Sequence, residues 1–316
     1  MSSGHTLRLF CPAKLNLGLR VLGRRADGYH LLDTVMHAID LGDELYARPV
    51  AGGAGPTLAV SADDPRDALP PDDDNLVLRA ARAWGSRAGA AVRLAFALHK
   101  RVPHGGGLGG GSSDAAAALR LCNAFAEALG AVPLDLAALH DLARGLGADV
   151  PFFLRGGTQR GRGIGDELEP VADPPARWFT LLVPPFGCPT VAVYKNLASP
   201  WQATFDTASM REFRDSHHND FARNRFVNDL TAAAERVRPE LAQLRRRAGD
   251  LGVAVAMTGS GSVLFATAAD EGEARTHRER LAPFCGEGVR LLAARSAPGA
   301  FAPVQAEWPT AAGGGS

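Results

Sequence analysis

The densest chemical signal in the chain is Pro103-His104-Gly105-Gly106-Gly107-Leu108-Gly109-Gly110-Gly111-Ser112-Ser113, with six glycines in seven positions. Backbone without Cβ atoms lets N–H groups approach an anion closely. The stretch opens into a helical pattern, whose orphan N–H groups and positive dipole end favour phosphate. Packing gives so many glycines no evident task, so a diphosphate or triphosphate is the expected guest. Two familiar phosphate motifs fit poorly. Gly105, Gly107 and Gly110 have the dinucleotide-fingerprint spacing, yet that motif follows a strand directly, and here Arg101-Val102-Pro103 intervenes. A P-loop needs lysine before its hydroxyl residue, and Gly111 stands there instead.

Other positions carry chemistry too. Lys14 and Asn16 fall opposite Leu15, Leu17 and Leu19 in an alternating segment, which sets a cation beside an amide on the face away from the core. Asp149 follows Gly147, a C′-type glycine, and Pro151 forces Val150 extended, so the carboxylate is expected at a fixed helix-to-strand corner. Asp72-Asp73-Asp74 and His217-His218-Asn219-Asp220, the latter within a polar insert at 210–224, invite a metal reading; both read better as solvated loops.

The elements that hold these groups are legible in outline. Residues 7–22 alternate with period two, and Pro12 divides them into two strands or one broken strand. Residues 49–74 are rich in Pro, Gly and Asp and read as loop. Helical spacing covers 75–87 and alternation 91–98. An amphipathic helix runs from Ser112 to Leu129, capped by Ser112 or Ser113, with Asp114 in its first turn. A further helix spans 136–146. After Gly165 the pattern resets, with strands at 179–183 and 190–194, and period two sets Thr190 and Tyr194 on one face. Helices around 227–247 and 272–281 follow, and from Ala297 the tail reads as frayed.

A chain of 316 residues suits two domains sharing a cleft. Lys and Arg total 34 against 34 Asp and Glu, so the formal net charge is zero. That argues against a nucleic-acid partner and confines phosphate chemistry to a local pocket. Cys11, Cys122, Cys188 and Cys285 are scattered without a C-x-x-C pair, which suits reduced thiols. The start shows no basic-then-apolar leader, and no apolar run reaches the roughly 18 residues of a membrane span. A cytoplasmic protein without membrane contact is the expectation.

In order along the chain, Pro12-Ala13-Lys14-Leu15-Asn16-Leu17, the loop at 103–113 and Thr258-Gly259-Ser260-Gly261-Ser262 resemble the three motifs of the GHMP small-molecule kinases. The segments 23–30 (Gly-Arg-Arg-Ala-Asp-Gly-Tyr-His) and 146–153 (Leu-Gly-Ala-Asp-Val-Pro-Phe-Phe) resemble one branch of that family, which phosphorylates the 2-hydroxyl of a cytidine-diphosphate-linked methylerythritol. Asp74-Asn75-Leu76, the stretch 163–168 and Asn228-Asp229-Leu230 fit the same branch. The resemblance implies an α+β fold of two domains with ATP and substrate in the cleft between them. It places an N-terminal domain at 1–165, a C-terminal domain at 166–296 and a flexible tail at 297–316. It implies ATP with Mg2+ and a small-molecule partner, and leaves a homodimer open. A GHMP kinase for homoserine, mevalonate or a sugar is an alternative, but would have no reason to keep Ala26-Asp27-Gly28-Tyr29-His30. A non-catalytic nucleotide sensor on the same fold is another, and would have no reason to keep Asp149.

The resemblance also lets roles be assigned. Asp149 is the base that takes the hydroxyl proton, and Lys14 is the cation that keeps it ionised and steadies developing charge. Residues Pro103 to Ser113 hold ATP, with Ser112 and Asp114 as Mg2+ candidates. Tyr29 and His30 belong to the cytidine pocket, Tyr194 stacks on the base, and Thr190 hydrogen-bonds nearby. Asn16 holds the hydroxyl-bearing end. His104 stands where the family often has methionine or another small apolar group.

Overall fold

The computed structural model describes residues 5–52, 55–173, 175–197, 226–297, 299 and 301–309; the insert at 210–224 lies outside them. Strand β1 (Thr6–Arg24) and strand β2 (His30–Pro49) form one long antiparallel hairpin. Its turn needs Gly28, which takes φ 93°. Pro12 does not break β1. The register slips between Pro12 and Ala13 and again between Asn16 and Gly18, so the strand bulges and carries on.

Inside the 49–74 stretch read as loop lies β3 (Thr57–Ala62), parallel to β4 (Leu94–Lys100), which pairs antiparallel with β2. β5 (Thr158–Arg162) pairs with β2 and with β6 (Glu167–Pro170). This first sheet therefore runs past residue 165, where the domain boundary was expected. β7 (Trp178–Val183) opens the second sheet, and β8 (Val227–Asn228) returns to pair with β1 in parallel. The second sheet is antiparallel throughout: β7 lies between β10 (Leu264–Ala268) and β11 (Arg290–Arg295), and β9 (Ala256–Met257) pairs with β10. The described part of the tail is ordered against the first sheet. β12 (Val304–Ala306) covers the edge of β1, satisfying backbone groups a free edge would expose, and the Arg48 guanidinium lies 4.1 Å from the Trp308 ring centroid.

Helices α1 (Leu76–Ala88), α2 (Gly110–Ala124), α3 (Leu136–Leu146) and α4 (Val150–Arg155) pack with the first sheet around Trp84, Phe96, Leu119 and Phe152. α5 (Thr190–Lys195), α6 (Thr231–Val237), α7 (Pro239–Asp250) and α8 (Glu271–Leu281) belong with the second sheet. A third core joins the two layers: Leu15, Leu17, Val35 and Ile39 of the hairpin meet Phe179, Leu181 and Phe265 of the second sheet. Each such fully buried side chain contributes roughly 1.5–3 kcal/mol.

Several local expectations change. Helix α2 begins at Gly110 with Gly109 as its cap (φ 75°), so neither Ser112 nor Ser113 caps it, and residues 127–129 form a separate 3₁₀ turn. Val150 is helical, because a proline in the first turn loses no hydrogen bond; Asp149 sits between two helices rather than before a strand. Residues 190–194 are helix, not strand. Positions i and i+4 share a helix face, so Thr190 and Tyr194 still point the same way. All four cysteines are free, Cys285 exposed and the rest buried.

Candidate functional site

The hairpin, the glycine loop, the α3–α4 corner and α5 converge on one cavity of about 980 Å³. Lys14, Asn16, Tyr29, His30, Gly107, Gly109, Ser112, Asp149, Thr190 and Tyr194 all line it. Of the other residues assigned to ATP, Pro103, Gly106, Leu108 and Ser113 are buried in the packing, His104 and Gly105 are exposed, and Gly110 and Gly111 open α2 behind the wall.

Lys14 and Asn16 do not face open solvent. They are 3% and 4% exposed, because both faces of the hairpin are covered at this point. Lys14 Nζ donates to Asn16 Oδ1 at 2.6 Å and stands 3.6 Å from Asp149 Oδ2. Asn16 Nδ2 donates to Thr34 Oγ1 at 2.8 Å, and that hydroxyl donates to Gly18 O at 2.7 Å. The Asn16 amide is thereby oriented, and its oxygen is aimed at the ammonium. Asp149 caps α4 without spending its carboxylate on a backbone N–H, and its side chain is 38% exposed. The pair can therefore act on a ligand: the cation is sealed and held, while the carboxylate is open to the cleft.

At another wall the His30 and Tyr194 rings stack at 4.9 Å and 28°. Burial lowers the His30 pKa, with a further push from Arg24, which favours the neutral imidazole. Tyr194 is raised to about 12 by burial and then by the Asp149 charge, so its phenol stays protonated. Tyr29 is 61% exposed. Arg24 and Lys195 also line the cavity, two cations in a chain of zero net charge.

The glycine loop differs from its sequence reading. Four of its glycines are required by packing. A Cβ would stand 2.5 Å from Val263 Cγ2 at Gly106, 2.5 Å from Thr258 O at Gly107, 2.8 Å from Phe153 Cζ at Gly109, and 2.9 Å from Val102 Cγ1 at Gly110. Gly105, Gly107 and Gly109 also take φ between 71° and 83°, which glycine adopts at little cost. The loop is thus pressed against the second layer, and Val263 N donates to Gly106 O at 3.2 Å. Its end keeps the features that suit an anion. Helix α2 starts at the loop's end with no side chain on its first N–H groups, and Ser112 of that first turn reaches the cavity wall.

Asp114 does not fit a cation in the cleft: it is 2% exposed and bonded to Lys100. Ser112 fits. Among the described residues no group of three or more His, Cys, Asp or Glu side chains is arranged to hold a metal, and no helix is long and apolar enough to cross a membrane.

Thr258, Asn228 and Ser260 were quoted as motif members without roles, and the structure supplies their contacts. Thr258 Oγ1 accepts Asn16 N at 3.0 Å, Asn228 Nδ2 donates to Met257 O and Gly259 O, and Ser260 Oγ lies 2.9 Å from Thr190 Oγ1. The Thr258–Ser262 stretch is the signal for Thr258 and Ser260, and Asn228-Asp229-Leu230 the signal for Asn228; the former does more. It binds the hairpin to the glycine loop, since Gly259 approaches Gly107 closely enough that a Cβ would lie 3.2 Å from its carbonyl oxygen.

Comparison with known proteins bears on the family. The GHMP kinases N terminal domain pattern matches residues 75–157, and the GHMP kinases C terminal pattern matches 209–286. A 4-diphosphocytidyl-2-C-methyl-D-erythritol kinase of Pelotomaculum thermopropionicum is 41% identical over 83% of this chain and 89% of its own. One of Bordetella parapertussis is 42% identical over 81% of this chain and 80% of its own. A crystal structure of 4-(cytidine 5'-diphospho)-2C-methyl-D-erythritol kinase superposes with TM-score 0.71 at 35% identity, covering 91% of this chain and 98% of that one. Homoserine kinase from Cytophaga hutchinsonii reaches the same TM-score at 20% identity, over 96% of this chain and 98% of its own, and so shares the fold alone. By these two patterns and by its relatives, the chain belongs to the GHMP kinases, on the branch of the 4-diphosphocytidyl-2-C-methyl-D-erythritol kinases.

Proposed function

We infer that the chain transfers the γ-phosphoryl group of ATP to the 2-hydroxyl of 4-diphosphocytidyl-2-C-methyl-D-erythritol, a step of isoprenoid biosynthesis. One observation carries the mechanism: Lys14 and Asp149, 3.6 Å apart, share a cavity with the N-terminus of α2 and with the His30–Tyr194 stack.

Phosphoryl transfer asks for alignment and charge neutralisation more than for covalent chemistry. The proposed roles follow. The α2 N-terminus and the loop hold the ATP phosphates. Asp149 accepts the proton of the attacking hydroxyl, and Lys14, fixed by Asn16, steadies the charge that builds up on the transferring group. A cytosine ring takes its place on Tyr194 beside a neutral His30, and Thr190 with Ser260 offers hydroxyls nearby. Arg24 and Lys195 suit the substrate's diphosphate. Mg2+ bound with ATP would neutralise phosphate charge there, and Ser112 is the protein oxygen on that wall that would help hold it; among the described residues no cluster of His, Cys, Asp or Glu would do so. His104 lies outside the cavity, and its backbone N–H donates to Asp67 Oδ1 at 3.0 Å.

ADP release from purified protein with Mg-ATP tests the reading. Turnover is expected with the cytidyl substrate and absent with mevalonate and homoserine. ATP binding without turnover of any of the three would leave a nucleotide sensor on this fold.

A further inference from the structure

A second ionic cluster, unused by the mechanism above, lies directly beneath the glycine loop. Lys100, the last residue of β4, donates from Nζ to Asp43 Oδ2 of β2 and, at 2.8 Å, to Asp114 Oδ2 of α2. Asp43 Oδ1 accepts the N–H groups of Arg101 at 2.6 Å and Val102 at 2.8 Å, the two residues that lead from β4 into the loop. Exposure is 0% for Asp43, 1% for Lys100 and 2% for Asp114. A Cβ on Gly110 would stand 3.3 Å from Asp43 Oδ2, so the cluster touches the first residue of α2.

As a stabilising device this is poor. Two carboxylates share one ammonium, and Asp114 Oδ1 is buried without a hydrogen-bond partner. Apolar side chains of like volume often serve stability as well or better than a buried ion cluster. What the ions add is direction, because the strand that enters the loop, the N–H groups at the loop's entrance and the helix that leaves it all converge on one ammonium. We propose that Lys100 is a positioning residue for ATP: through Asp43 and Asp114 it sets the spacing between the two ends of the glycine loop, and so the place where the α2 N-terminus meets the polyphosphate. This rests on the phosphate reading of that loop. Burial by itself would lower the Lys100 pKa, but the two carboxylates hold it raised, so the ammonium stays charged.

Lys100→Met alone strands two buried carboxylates and would compromise folding. The informative variant is therefore Lys100→Met/Asp43→Asn/Asp114→Asn, which keeps the shapes and removes the charges. It is expected to fold, by circular dichroism and thermal melting. Its KM for ATP, and its Kd for a non-hydrolysable ATP analogue, should rise about tenfold, short of the ~10²-fold that an ångström of misplacement can cost. The KM for the cytidyl substrate and kcat at saturating ATP should stay within about threefold, the pattern of lost binding rather than lost chemistry. Asp43→Asn/Asp114→Asn with Lys100 retained leaves amide oxygens for the ammonium and should recover most of the ATP affinity. An unchanged KM for ATP in the triple variant, or an equal rise for both substrates, would overturn the proposal. Wild-type protein that binds the analogue but does not turn over the cytidyl substrate would count against the substrate reading alone, and the analogue titrations would still decide the loop.

Discussion

Lys14 and Lys100 are both sealed from solvent and both face aspartate, yet the two sites are built to different ends. Lys100 is saturated by two buried carboxylates, and no member of its cluster lines the cavity. Lys14 gives its short bond to an amide and stands 3.6 Å from a carboxylate that is 38% exposed. A fully desolvated, tightly bonded cluster fixes backbone geometry and costs stability. A looser pair with one open partner leaves an oxygen for a substrate proton. The same residue types thus become scaffold or chemistry according to which partner keeps access to the ligand.

Asp149→Asn should separate the two sites most sharply. It keeps shape and removes the base, so kcat is expected to fall by ~10²–10⁴-fold. Affinity for a non-hydrolysable ATP analogue, measured by calorimetry, should hardly change, since the amide keeps the shape and the lost base acts on the acceptor hydroxyl. A fall of less than tenfold would make the Lys14 pair scaffold like the other. Lys14→Met comes next: losing a fixed cation at the transferring group is expected to lower kcat by roughly 10²–10³-fold, as loss of one preorganised donor does elsewhere. Steady-state rates at saturating substrates read this out.

These residues could be read from sequence because chemistry asks for types that packing seldom explains. A lysine and an asparagine two apart and an aspartate pinned between Gly147 and Pro151 are such cases; the glycine run is not, since packing accounts for four of its glycines. What stayed hidden depended on partners distant along the chain. The packing role of Gly106 and Gly107 comes from Val263 and Thr258, about 150 residues on. The burial of Lys14 and Asn16 comes from layers on both faces of the hairpin, whereas an alternating pattern reports only one apolar face. Residues 190–194 are too short for period to separate strand from helix, although both readings put Thr190 and Tyr194 together. Pairing of Val304–Ala306 with β1 involves three residues, below what composition can show. Lys100 drew no notice because a lysine ending a strand reads as an ordinary solvated charge.

A third variant asks whether the cytidine end is independent of both lysines. Tyr194→Ala removes a stacking surface worth about 0.5–1.5 kcal/mol, so the KM for the cytidyl substrate should rise roughly 3–10-fold. The KM for ATP should stay put, and Tyr194→Phe should behave as wild type, because the Tyr194 phenol, held at about 12, is not asked to ionise. A parallel rise in both KM values would mean that the ring supports the cavity as a whole.

The smallest effect is a matter of stability and pH, and it belongs to the scaffold alone. Burial raises the Asp114 carboxyl to about 7, opposed by Lys100 and reinforced by Asp43. Between the ordinary carboxylate value near 4 and this raised one, the folded protein holds a proton that the unfolded chain has released. The folded state is therefore favoured by this group at low pH, and the advantage is lost as pH rises through about 7. Asp114→Asn has no proton to lose, so its stability in urea should fall less than the wild type's between pH 5 and 8. A wild-type slope in Asp114→Asn would mean that this carboxyl does not titrate inside the fold, and would break the scaffold reading of the Lys100 cluster.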